Sequence, residues 1–311
     1  MNNDEKYIIQ LQFRVKIYMS DGQAYENFFI QIMQYAYENF KPVKPQGSYG
    51  DRKNDGFDKS TGTYYQVYAP ENISTKINDA INKLISDFKG LYDYWDKISK
   101  IKRYFFAIND KYKGTFPTLE EELSKIEKKY PEIQCNSFLN KDLERVFMSL
   151  SREQISSIVG ITPDPLNISD IDFGSMNEVI NHLMRMHFSY SEEKIPQDPD
   201  FNEKIVFNNL SESIARLLHQ GNYQNHVIKE FFEKNRSGLK GELKELFVKF
   251  YSEGVREVNG ESNKNDIVFF YILEKVSPKN TKPVQDAALV LMAYYFEYCD
   301  IFQTPPSREN K

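Results

Sequence analysis

The run Gly47-Ser48-Tyr49-Gly50-Asp51-Arg52-Lys53-Asn54-Asp55-Gly56-Phe57, followed closely by Tyr65-Gln66-Val67-Tyr68-Ala69-Pro70, gathers the residue types best able to do chemistry. Asp51, Lys53 and Asp55 fall at alternate positions, and in an extended segment all three would point to one face. The stretch 58–63 is polar and contains Gly62, which predicts a hairpin turn. Residues 64–69 are aromatic and β-branched and read as the returning strand, with Tyr64, Gln66 and Tyr68 on a shared face. Carboxylates, an amine, an amide and a phenol on neighbouring strands are costly to bury without partners. A divalent metal ion or a phosphate would give such a cluster something to hold.

The surrounding elements must position these groups. Residues 8–19 alternate apolar and polar as a strand does, yet Ile9, Phe13 and Ile17 also form a helical stripe, so periodicity leaves both readings open. Residues 24–39 predict a helix with Phe28, Ile32, Tyr35 and Ala36 on its apolar face. After Pro70 a long amphipathic helix is expected over 74–100, carrying Ile77, Ile81, Leu84, Phe88, Leu91 and Trp95 in register. Residues 103–109 and 133–138 read as short strands. Thr118-Leu119-Glu120-Glu121 reads as a capping box opening a helix to about Lys129. This alternation of helices and strands is an α/β order.

Taken with that order, the first run resembles the PD-(D/E)xK nuclease superfamily, in the branch where Gly-Asp-x-x-x-Asp-Gly precedes a Gln-x-Lys strand. The resemblance implies a mixed sheet flanked by helices, with residues 8–19 helical, and metal-dependent hydrolysis of DNA. It implies that Asp55 and Gln66 hold Mg²⁺ or Mn²⁺, and that Glu26, on the preceding helix, acts beside them. Where the family has lysine this chain has Tyr68, a hydrogen-bonding phenol rather than a cation at neutral pH. Lys53, as a relocated amine, or Tyr68 itself would complete the site; alternatively the fold survives without the catalysis and serves to grip DNA or a partner. Bland roles also stand open: Asp51 as a turn residue, Lys53 as a solvated hairpin residue, Gln66 as a buried hydrogen-bonding amide, and Glu26 as a complement to its helix dipole.

From about Leu139 the pattern turns helical, with segments at 177–188, 209–220, 224–235, 239–253, 266–274 and 284–302. Residues 201–211 and the closing run Tyr295-Phe296-Glu297-Tyr298-Cys299-Asp300-Ile301-Phe302 resemble the C-terminal domains of bacterial ABC-three-component systems. In those systems an effector protein joins an SMC-like ABC ATPase and a small third component, in defence against phages and plasmids, and Lamassu systems are relatives. The expected architecture is therefore an α/β nuclease-like domain over 1–150 and an all-α assembly domain over 151–311. The segment 284–302 is apolar around most of its circumference, so it is either central to the helical domain or shared with a partner, the ATPase or a second copy.

Bulk properties narrow the class further. With 311 residues the chain suits two domains, and 40 basic against 45 acidic residues give a net charge of −5. That charge argues against bulk electrostatic retention on nucleic acid; a local basic patch stays open, and a protein partner is the expected route to the target. Cys135 and Cys299 lack metal-ligand spacing, which predicts a reducing cytoplasm. The apolar run 287–296 is too short to cross a bilayer, so no membrane association is expected. His182 and His187 do not share a helix face, and no Walker sequence occurs, so this chain is not the ATPase of its system.

Overall fold

In the computed structural model the described residues are 1–45, 47, 50–186, 200–258, 260–298 and 301–306. The readings above for Ser48, Tyr49, His187, Cys299, Asp300 and part of 177–188 fall outside them. The chain divides into two compact units, Lys16–Ile158 and a second made of Met1–Val15 with Val159–Lys311. The first fifteen residues, assigned from sequence to a domain over 1–150, thus group with the helical unit.

The first helix, α1 (Asn3–Met19), runs across that division. Its strand-like alternation is overridden by burial on nearly every side: Ile8, Ile9, Leu11, Phe13, Val15, Ile17 and Tyr18 are all buried. A helix buried all round carries no clean amphipathic period, which is why the sequence left it ambiguous.

The Lys16–Ile158 unit is α/β. Its elements are α2 (Gly22–Ala36), β1 (Phe40–Pro42), β2 (Gly56–Asp58), β3 (Thr63–Tyr68), α3 (Ile77–Trp95), β4 (Arg103–Ile108), α4 (Pro117–Lys129), β5 (Gln134–Phe138), α5 (Asn140–Met148) and most of α6 (Arg152–Val159). The five strands form one mixed sheet in sequence order. β1, β2 and β3 pair antiparallel, with Gly56 opposite Tyr65; β3, β4 and β5 pair parallel, with Tyr64 opposite Tyr104 and Gln66 opposite Phe106. The parallel half needs crossover helices, and α3 and α4 supply them.

The central strand β3 is buried on both faces, and its alternation sorts its neighbours. Tyr65 meets Phe29 of α2 at 5.7 Å and stacks on Phe105 at 5.3 Å, so the odd residues face α2. Tyr64 meets Trp95 of α3 at 6.2 Å, so the even residues, Gln66 among them, face α3. That second face packs Leu84, Phe88 and Leu91 of α3 and Leu119 and Leu123 of α4 over Tyr104 and Phe106. Gly56 is required by close approach, since a Cβ there would lie 2.2 Å from the Phe40 ring. Helix α4 opens one residue before Thr118, with Pro117 at its start and Phe116 at its cap, so the expected capping box is not formed; Pro117 is pre-organised for a first helical turn.

The second unit is helical among the described residues beyond 158: α7 (Phe173–Met184), α8 (Phe201–Phe207), α9 (Glu212–Tyr223), α10 (Asn225–Lys234), α11 (Leu239–Glu257), α12 (Lys264–Val276) and α13 (Lys282–Glu297). Helix α13 sits centrally, packed by α7, α9, α10, α11 and α12, with every residue from Val284 to Phe296 buried. The all-round apolar helix therefore takes the core alternative of the two its sequence offered. Fully buried Lys204 of α8 donates to the Phe296 carbonyl at 2.7 Å, placing a cation at the C-terminal end of α13, where the helix dipole favours it.

Candidate functional site

The site is built at the turn entering β2. Residues 51–55 do not extend: Arg52 and Lys53 hold left-handed backbone, with φ of 56° and 65°, and β2 begins only at Gly56. Short polar side chains win locally. Asp51 Oδ1 accepts the Lys53 N–H at 2.8 Å, and Asn54 Oδ1 accepts the Gly56 N–H at 3.1 Å, each closing an Asx turn. Asp51, Lys53 and Asp55 therefore do not share a strand face, which corrects the period-2 reading.

Asp55 and Gln66 do come together. Asp55 lies one residue before β2, tied to the sheet by its N–H to the Tyr65 carbonyl at 3.0 Å. Its Oδ2 accepts Gln66 Nε2 at 2.7 Å and the Val67 N–H at 2.6 Å. Both residues are only 4% exposed. Burial raises the Asp55 pKa to about 7; the negative charges of Glu26 and Asp51 add to the rise, while the Val67 N–H and the Lys83 charge oppose it. Three buried polar atoms of this neighbourhood have no hydrogen-bond partner among the described residues: Gln66 Oε1, Asn54 Nδ2 and Tyr104 OH. Burial, together with the Asp87 and Asp55 charges, pushes the Tyr104 phenol well up.

The remaining expected residues stand further off. Tyr68 follows Gln66 on the same strand face, stacked on Phe106 at 6.1 Å, and burial raises its pKa, so it stays a neutral phenol. Glu26, on α2, accepts from Gln23 Nε2 at 2.9 Å and reaches Asp55 through its charge. Lys53 pairs with Asp87 of α3 at 3.0 Å. It helps line an open cavity of about 530 Å³ between its turn and Gly90, Asp93 and Tyr94, a cavity that Asp55 and Gln66 do not line.

Two residues that sequence reasoning passed over are Asp87 and Lys83. Asp87 is 1% exposed and accepts Lys53 on Oδ1 and Lys83 on Oδ2. A signal was present: Asp87 continues the apolar stripe Ala80, Leu84, Leu91, where a carboxylate is out of place.

The donor set fits a loosely held hard cation. Both hydrogen bonds to Asp55 fall on Oδ2, and Gln66 Oε1 is unpartnered, leaving two oxygens of the type Mg²⁺ and Mn²⁺ take. Among the described residues no three His, Cys, Asp or Glu side chains are grouped to hold a metal, so water and phosphate oxygens would complete the coordination.

The fold and this pair define a mixed α/β unit with one polar site under α3, followed in the chain by a helical unit. Residues 175–303, within the helical unit, match the family model of C-terminal domain 10 of the ABC-three component (ABC-3C) systems, which supports that family and, with it, a multi-component assembly. No curated protein and no solved structure matches the chain. Among the described residues no helix is long and apolar enough to cross a membrane.

Proposed function

We propose that this chain is the effector component of a Lamassu-related ABC-three-component system in the bacterial cytoplasm, acting against phages or plasmids as a metal-dependent DNA endonuclease under control of an SMC-like ATPase. The observation that carries the nuclease reading is the buried Asp55–Gln66 pair, hydrogen-bonded at 2.7 Å with Gln66 Oε1 left unpartnered. Most buried polar atoms in scaffold roles are paired, so an unpartnered amide oxygen beside a buried carboxylate favours a binding role. The order of helix, antiparallel strands, helix and parallel strand around the pair supports the nuclease-like core.

A bound Mg²⁺ or Mn²⁺ would polarise the scissile phosphate and lower the pKa of a coordinated water. Gln66 Nε2 and the Val67 N–H hold Asp55 Oδ2, which fixes the carboxylate and would leave Oδ1 for the cation. Asp55 must give up its proton to take a cation, and a pKa of about 7 lets it do so at cytoplasmic pH. In the hydrolysis the water oxygen forms a bond to phosphorus as the bond to the leaving oxygen breaks. One water proton passes to solvent and the leaving oxygen gains one, giving a phosphate monoester and a hydroxyl.

The purified chain, or its complex with the ATPase and the small third component, should nick supercoiled plasmid with Mn²⁺, and Asp55→Ala should abolish nicking. Undiminished nicking by Asp55→Ala would overturn the assignment. A second reading, a degenerate nuclease fold that binds DNA or a partner, is favoured by neutral Tyr68 at the strand position where the family carries a cation. It requires DNA retention in a gel-shift assay with no nicking by the wild-type complex.

A further inference from the structure

Tyr68 leaves the Asp55–Gln66 site without a cation on the strand, and α3 brings one over the same spot. Tyr68 follows Gln66 on the α3 face of β3, about 7 Å along the strand. Lys83 Nζ stands 6.0 Å from the centre of the Tyr68 ring and is bonded to Asp87 one helical turn on. An ordinary (i, i+4) pair on a helix surface joins two exposed groups and is worth a few tenths of a kcal/mol, about 0.2–0.5. Here the acceptor is 1% exposed and faces the sheet, where keeping a carboxylate carries a desolvation cost. Such a carboxylate fixes the direction of the lysine that it receives.

Neighbouring groups point the same way. Unpartnered Tyr104 OH lies within the fields of both Asp55 and Asp87, and Lys53, two residues before Asp55, pairs with Asp87 at 3.0 Å. Among the charges acting on Asp55, that of Lys83 opposes those of Glu26 and Asp51. Lys53 also feels Asp55, as the weakest influence on it, but it sits on the exposed turn and its amine is bonded to the other oxygen of Asp87.

We propose that Lys83, held by Asp87, supplies the amine of the Asp55–Gln66 site, standing over the strand position that Tyr68 occupies; the assignment rests on the nuclease reading. Lys83 faces the phosphate oxygens that gain charge as water attacks, and it donates hydrogen bonds to them without transferring its proton. Lys53 and Asp87 are positioning residues, fixing the turn and the lysine respectively.

Plasmid nicking with Mn²⁺ by the full chain or its complex tests this, alongside Mn²⁺ calorimetry and thermal melting. Lys83→Met should slow nicking about 100-fold, the size expected for one lost donor to a charged transition state. Its Mn²⁺ affinity should stay within about threefold, and Lys83→Arg should recover most of the rate because charge and donors return. Lys53→Met should lose much less than Lys83→Met. If Lys83→Met is destabilised because Asp87 loses a partner, Lys83→Met with Asp87→Asn removes the buried charge, and the same rate loss is expected. Nicking by Lys83→Met within threefold of wild type, while Asp55→Ala is dead, would overturn the inference and leave the nuclease reading intact. Absence of nicking by the wild-type complex would overturn both.

Discussion

Among the described residues of the Lys16–Ile158 unit, two buried polar clusters differ in one respect. Around the end of β4, Tyr25 OH donates to Asn140 Oδ1 at 2.7 Å, Asn140 Nδ2 to Asn109 Oδ1 at 2.8 Å, and Asn109 Nδ2 to the Ser20 carbonyl at 2.7 Å. Asp110 beside them accepts the Asn140 N–H on one oxygen and the Gly114 N–H on the other, each at 2.9 Å. The side-chain polar atoms of Tyr25, Asn109, Asp110 and Asn140 are absent from the unpartnered set, whereas Gln66, Asn54 and Tyr104 all contribute to it. Burial raises the pKa of both Asp110 and Asp55, so a shifted carboxyl does not separate them. Satisfaction does. The first cluster ties the start of α2, the end of β4 and the start of α5 together; the second leaves Gln66 Oε1, Asn54 Nδ2 and Tyr104 OH without a partner among the described residues.

The largest expected effect is on pH dependence, and it sharpens the description of the second cluster rather than separating it from the first. Asp55 has a folded pKa of about 7 against an unfolded value of about 4, so the folded state holds its proton more tightly. Its contribution is present below about pH 4 and is lost as pH rises through about 7, up to about 4 kcal/mol in all. Asp55→Asn should therefore gain stability over wild type as pH climbs from 5 to 8, read as a widening gap in melting temperature of the full chain. A gap that closes with rising pH would contradict the burial argument.

Next in size, Asn140→Ala should cost about 2–3 kcal/mol in denaturant unfolding, since Tyr25 OH and Asn109 Oδ1 both lose their short bonds and keep only 3.3 Å ones to the Ile108 carbonyl and the Lys111 N–H. A cost under about 1 kcal/mol would mean that the satisfied cluster is not the clamp described.

The smallest and sharpest comparison deletes one hydroxyl from each cluster. Tyr25→Phe should destabilise by about 1–2 kcal/mol because Asn140 Oδ1 loses its donor, whereas Tyr104→Phe should be neutral or stabilising by up to about 1 kcal/mol. Equal losses from the two would erase the distinction.

The order of elements in this unit was more legible in the sequence than its local geometry. The hairpin of β2 and β3 and the amphipathic register of α3 follow from residue type and periodicity, whereas the pairing of Asp55 with Gln66 was implied by the nuclease resemblance and not by alternation. The turn at 51–55 does not follow, because alternation of charges says nothing about Asp51 and Asn54 capturing nearby backbone N–H groups. Lys83 and Asp87 were hidden because a single carboxylate in an apolar stripe is easily read as a flaw in the pattern. The satisfied cluster was invisible, since Tyr25, Asn109 and Asn140 are brought together only by the tertiary fold. In the helical unit the composition of α13 implied burial but not by what; packing inside the unit supplied the answer.

The central claim is that Asp55 and Gln66 form a ligand site rather than a structural pair. Calorimetric titration of the full chain with Mn²⁺ near pH 7 tests it most directly. Wild type should bind, with a heat that varies with the ionisation enthalpy of the buffer as Asp55 releases its proton, and Asp55→Asn should lose the binding while remaining folded. Equal binding by wild type and Asp55→Asn, or none by either with DNA present, would contradict the account.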